Sequence, residues 1–98
     1  MKYFVVVREP GPGWDFSRRM REQDDWDGHA AFMDALATDG FIVLGGPVGD
    51  GMRFMHVVDA ADEAAIRRRL ADDPWEHSGR VRTASVEPWT ILLRAGET

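Results

Sequence analysis

The chain has 98 residues, room for one domain and not for two cores. Hydrophobic residues make up 44%, an ordinary globular share, and no apolar run is long enough to span a bilayer. A net charge of −5 speaks against nucleic acid as the main partner, and the absence of cysteine removes disulfides and thiolate zinc sites.

Lys2 to Arg8 reads as a strand. Tyr3, Val5 and Val7 point one way and Phe4 and Val6 the other, so both faces are apolar and both call for cover. The run is too short for a signal-peptide core and no small-residue cleavage site follows it, so the expected location is cytoplasmic. Glu9 to Asp25 is a long connection. Pro10, Gly11, Pro12 and Gly13 open it, and a short helical turn fits between Asp15 and Glu22. Connections of this length in a compact domain are usually functional or disordered. Residues 10–25 are therefore expected to be a long loop, acting as a lid or a partner-contacting arm.

Trp26 to Asp39 reads as a helix, capped by Asp24 or Asp25 and stopped at Gly40. Trp26, His29, Phe32, Met33 and Leu36 follow three- and four-residue spacing, which puts His29 on the packed stripe. Phe41 to Val48 is a second strand. Gly45-Gly46-Pro47 in its latter half marks a bulge or a close approach by another group. Gly49-Asp50-Gly51 signals a hairpin, with Met52 to Asp59 returning. Ala61 to Ala71 is a second helix, ended before Pro74 because the residue preceding proline avoids helical geometry. Val81 to Leu93 is a last, long strand whose apolar phase switches at Pro88, which suggests a bulge on an edge strand.

Strand, helix, strand, strand, helix, strand with right-handed crossovers is the α+β, ferredoxin-like βαββαβ sandwich. A four-stranded antiparallel sheet then carries two helices on one face. The other face is apolar and bare, and a second copy of the chain is the simplest cover, giving a homodimer through the sheet face. The same topology gathers the end of the first strand at Arg8, the start of the first helix at His29, Gly46-Pro47 late in the second strand, and Asp73 and Trp75 at the end of the second helix.

Histidine titrates near neutrality and can hold or pass a proton, and an aspartate bonded to one ring nitrogen fixes its tautomer. His29 with Asp73 is the candidate pair. The plainer alternative is a buried histidine satisfied for structural reasons, with Asp73 capping the turn before Pro74 and Asp72 as its competitor. Arg8 offers a fork of donors to an anionic ligand, or forms an ion pair. Trp26 and Trp75 form a wall for a flat ligand, or pack the core. His56 and His77 complete the three histidines, but none has metal-ligand spacing, so no metal is expected. The chain has no phosphate-binding glycine loop and no Ser-His-Asp arrangement that can be argued.

These residues resemble the YCII-related family of small dimeric α+β-barrel proteins. The resemblance rests on the strand ending in Arg8, His29 opening the first helix, and Gly40 leading into Gly45-Gly46-Pro47. It rests too on Asp73-Pro74-Trp75 and on Val86-Glu87-Pro88-Trp89. It covers nearly the whole chain as one domain, 1–98, though each motif is short. It implies a histidine–aspartate pair in a pocket at one end of the sandwich, at His29 and Asp73, and enzymatic roles that include dehydrochlorinase-type elimination. Two features depart from the family pattern: the segment 10–25 is longer than usual, and Trp75 stands where phenylalanine is more common.

The expected function is proton-transfer chemistry of the lyase or isomerase type on a small anionic or aromatic molecule, without a cofactor. His29 and Asp73 would be catalytic, and Arg8, Trp26, Gly46, Pro47 and Trp75 would bind the substrate. The alternative is a non-catalytic module of the same fold that holds a small ligand.

Overall fold

The computed structural model describes residues 2–97. Alternation along the first strand, β1 (Tyr3–Pro10), sets the layers: Phe4, Val6 and Arg8 are buried, and the residues between them are half-buried. Helix α1 (Trp26–Thr38) follows, then strands β2 (Ile42–Val48) and β3 (Arg53–Asp59). Helix α2 (Glu63–Leu70), a one-turn helix α3 (Pro74–His77) and strand β4 (Val81–Pro88) complete the chain. The sheet order is β2-β3-β1-β4, every pairing antiparallel, as the ferredoxin-like reading requires.

Two clusters of apolar residues share the helix side. The larger joins Phe4, Val6, Val58 and Val86 of the sheet to Leu36 of α1 and to Ile66 and Leu70 of α2. The smaller lies at the Arg8 end, where Trp14, Phe54, Trp75 and Val81 pack together. Cross-strand pairing sets the boundary between them: Val6 lies opposite His56, and Arg8 opposite Phe54. Paired residues share a face, so a polar layer of Arg8 and His56 separates two dry ones.

Three expectations need correction, and one open alternative is decided. The last strand ends at Pro88 rather than Leu93. Its partner β1 runs out at Tyr3, whose carbonyl takes a final hydrogen bond from Trp89 N–H at 2.9 Å, and Leu92 and Leu93 beyond it are 86% and 91% exposed. Its bulge is not at Pro88 but where Val7 faces Ser85 and Arg8 faces Thr83, which leaves Ala84 as the extra residue. In β2 the extra residue is Val43, so of the two readings of its glycines the close approach holds, and it holds at Gly45, where a Cβ would lie 2.4 Å from His56 Nδ1. Helix α2 starts at Glu63 rather than Ala61, because Asp62 caps it, its carboxylate accepting from Ala65 N–H.

The segment after β1 is more ordered than its prolines suggest. Gly11 N–H donates to Arg80 O at 2.8 Å and Gly13 N–H to Gly79 O at 2.9 Å, extending the contact with β4 past the strand. A Cβ on Gly11 would stand 2.3 Å from Gly79 O, so only glycine permits the approach. The buried Gln23 side chain then gathers the loop. Its amide donates to Asp15 O at 2.7 Å and to Arg18 O at 3.1 Å, and its oxygen accepts from Asp15 N–H. Trp14 is buried in the smaller cluster, while Phe16 is 74% exposed.

Trp14→Ala is expected to remove about 3–5 kcal/mol in urea unfolding, the loss typical of a buried aromatic. Phe16→Ala should stay within roughly 0.5 kcal/mol of the parent. Similar losses for both would mean that Trp14 does not anchor the loop.

Candidate active site

Three chain segments converge on the carboxylate of Asp73, and each is held there by its local sequence. Arg8 occupies the helix-side position after Val6 on β1, so its side chain points inward. Asp25 caps α1 with a left-handed backbone (φ 58°), its side chain accepting from Gly28 N–H. A Cβ on Gly28 would lie 2.4 Å from Asp25 Oδ1, so glycine lets the cap close and sets His29 in the first helical turn. Asp73 caps α3, with proline at the first helical position, and Asp73 Oδ1 accepts from Trp75 N–H at 2.9 Å.

Asp73 is 0% exposed. Its Oδ2 accepts from Arg8 Nη1 at 2.9 Å, and His29 Nδ1 lies 2.9 Å from both oxygens. Asp73, and not Asp72, is the residue that meets the histidine, and it is the helix cap as well. The other arm of Arg8, Nη2, donates to Glu76 Oε2 at 2.8 Å. Both ends of the arginine fork therefore hold carboxylates of this chain. Burial pushes the Asp73 pKa up. The hydrogen bond and charge of His29, the Trp75 N–H and the charge of Arg8 outweigh that push, so the net shift is downward and the group is an anion.

Aromatic rings fix the imidazole from the side. His29 stacks on Trp75 with centroids 3.9 Å apart and planes 6° from parallel. Trp75 is itself tied by Nε1 to Asp24 O at 2.8 Å, and Trp26 leans on both rings. A cavity of about 280 Å³ opens beside them, between α1 and the β2–β3 hairpin. Arg8, Trp26, His29, Gly46, Pro47 and Trp75 all line it, and Asp73 lies behind Arg8 and His29. The segment 10–25 contributes Met20 to its rim. His77 is exposed on α3 and lies apart from these groups. Among the described residues, no three histidine or carboxylate side chains converge as metal ligands.

Two features escape a reading of the sequence. Glu76 needs the α3 turn to reach Arg8. His56 also lines the cavity, buried on β3 at 7% exposure, and its Nδ1 has no hydrogen-bond partner. The signal for His56 is the glycine across from it at Gly45, visible only once the β2–β3 register is known. Burial, helped by the charge of Arg8 and by the neighbouring His29 and opposed by Asp73, lowers the His56 pKa to about 4.

No family model matches the chain, and no curated protein matches it in sequence. Its fold is similar to a solved structure from Burkholderia phenoliruptrix AC1100, 5-chloro-2-hydroxyhydroquinone dehydrochlorinase (TftG), in complex with 2,5-dihydroxybenzoquinone. The TM-score is 0.62 at 21% identity, over 92% of this chain and 93% of the other. The two chains share a fold. It is the fold that the YCII resemblance implies, and among the described residues no helix is long and apolar enough to cross a membrane.

Arg8→Met is expected to cost about 3–5 kcal/mol in chemical unfolding, because it leaves Asp73 buried without its cation. A loss below about 1 kcal/mol would show that His29 and Trp75 N–H suffice. A second expectation concerns acid. The unfolded chain takes up a proton at His56 near pH 6.5 and the folded chain only near 4. Stability from this group is present above pH 6.5 and lost as pH falls toward 4, by about 3 kcal/mol in all. The depressed carboxylate of Asp73 adds a further loss below its unfolded value of 3.8. Urea midpoints measured across this range for the parent and for His56→Gln test the assignment, and the variant should show a flatter slope above pH 4.

Proposed function

We propose that this chain is a small cofactor-independent enzyme that moves a proton on a small anionic or aromatic molecule, in lyase- or isomerase-type chemistry. The observation that carries the reading is His29 at the wall of a cavity of about 280 Å³, with Nδ1 held 2.9 Å from a buried, ionised Asp73. In the neutral ring Nδ1–H donates to Asp73, which leaves Nε2 as the basic nitrogen. His29 would take a proton from the substrate and return it to the product or leaving group, and Asp73 would hold the ring in the working tautomer.

The stacked Trp75 and the tilted Trp26 suit a flat substrate, and Gly46 and Pro47 leave room for it at the hairpin. Arg8 supplies positive charge at the cavity wall, although its fork is already held by Asp73 and Glu76. The solved relative in fold is a dehydrochlorinase crystallised with a dihydroxybenzoquinone, which supports a hydroxylated ring as the substrate class. Membership of the YCII-related family, a single domain over 1–98, a cytoplasmic location and a loop 10–25 that borders the site belong to the same reading.

A homodimer through the bare sheet face completes it. Leu44, Val48 and Met55 are exposed on the side away from the helices, beside half-buried Val5 and Val7. An apolar face of this kind suits a second copy of the chain.

The second reading is a non-catalytic dimer of the same fold that binds a small ligand. It is favoured by the tight stacking of His29, whose side chain is only 12% exposed. Calorimetry and turnover assays with chlorinated hydroquinones and with 2,5-dihydroxybenzoquinone separate the two. Turnover is expected for the parent, with a loss of roughly 10²-fold or more in His29→Ala and a smaller defect in Asp73→Asn. Binding without turnover selects the second reading, and absence of both sinks the pair. Light scattering should find a dimer at micromolar concentration, and a stable monomer would rule out the sheet-face contact.

A further inference from the structure

The cavity has a second histidine for which packing gives no reason. His56 comes from the floor of the sheet, on β3, whereas His29 comes from α1. A buried imidazole normally has partners for its nitrogens. Here Nδ1 is sealed from solvent and has none among the described residues. What faces it is Gly45 of β2: a Cβ there would lie 2.4 Å from Nδ1. The Cα hydrogen of Gly45 stands in that direction, and a C–H group can only donate, weakly. A proton on Nδ1 would be a buried donor facing another donor. A lone pair on Nδ1 fits the contact, so the ring proton belongs on Nε2. That nitrogen is not sealed, and the residue lines the cavity.

We infer that His56 is a further ligand-contacting residue, a neutral imidazole whose Nε2–H donates a hydrogen bond to a carbonyl, enol or phenol oxygen of the molecule in the cavity. The inference rests on the small-molecule reading of the cavity given above and adds to it the chemical group that is recognised. During the proton transfer, a substrate C–H or O–H proton passes to His29 Nε2 and its electron pair moves onto the substrate oxygen. His56 keeps its own proton, and its bond to that oxygen strengthens as negative charge develops there. A neutral donor suits this role because it stabilises the oxyanion without protonating it. The groups around His56 hold it in that form: burial first, then the positive Arg8, reinforced by His29 once that ring has taken the substrate proton, against the single opposing charge of Asp73. Gly45 is then a positioning residue, since any side chain at that place would displace the ring.

Two measurements test this. Long-range nitrogen–proton NMR of the ligand-free protein reads the tautomer directly, and His56 is expected as neutral Nε2–H at pH 7. The Nδ1–H form, or an imidazolium, overturns the assignment whatever the cavity binds. The second measurement compares 4-chlorophenol with 4-chlorotoluene, which differ by hydroxyl against methyl. The parent should prefer the phenol by about 10-fold, the ratio expected of one hydrogen bond in a dry site. His56→Phe should lose most of that preference, and His56→Gln, which keeps a side-chain N–H, should retain part of it. A preference unchanged in both variants overturns the inference while leaving the small-molecule reading intact. If the parent binds neither compound, that reading fails, and the proposed contact fails with it. If His56→Phe does not fold, the glutamine variant and the tautomer decide.

Discussion

A carboxylate with no access to water must be neutralised by its neighbours, and Asp73 sets that requirement for the whole Arg8 end of the molecule. Its donors come from three places: the guanidinium of Arg8 on β1, the imidazole of His29 on α1, and the backbone N–H of Trp75 on α3. Arg8 and His29 stand 65 and 44 residues away in sequence. The polar contact therefore does the work of a third apolar cluster, fixing strand, long helix and short helix to one another. It does so with direction, because hydrogen bonds fix angles that apolar contacts leave free. The ring of His29 is held by a charge along one edge and by an indole across its face.

The cavity follows from what β2 lacks. Where this strand passes under α1 it carries Gly45, Gly46 and Pro47, so little side-chain volume rises from the sheet. Helix α1 meanwhile turns His29, Met33 and Ala37 toward the gap. A helix and a sheet in full contact would have filled it with branched aliphatic residues, as they do at Leu36, Ile42 and Val58 a short distance away. The change from filled to hollow occurs within one strand, at the point where the larger cluster gives way to the layer of Arg8 and His56.

Much of this was legible in the sequence. Alternation in β1, the apolar stripe of α1, the stop at Gly40 and the break at Pro74 each have one local physical cause, and together they define the sheet and its two main helices. Helix order alone brings the start of α1 near the end of α2. Other features depend on contacts no local pattern reveals. The end of β4 is set by where β1 begins, so Leu92 and Leu93 look like strand and are not. Trp14 and Phe16 are near neighbours in one loop with opposite fates, because the Gly11 and Gly13 rungs and the Gln23 amide orient one inward and leave the other out. His56 looks like any mid-strand residue until the register sets it against Gly45.

Three of the four tryptophans, Trp14, Trp26 and Trp75, form one connected aromatic group around His29, and Trp89 lies outside it near the end of β4. Indole emission responds to nearby charge and to the polarity of its surroundings. Trp75 lies face to face with the imidazole, so gain or loss of a proton on that ring occurs within van der Waals distance of a fluorophore. The protein thus carries an optical probe at the place where its chemistry is proposed. A change in the ionisation of His29, or a flat molecule entering the cavity beside Trp26, would register as a change in intrinsic fluorescence without any label.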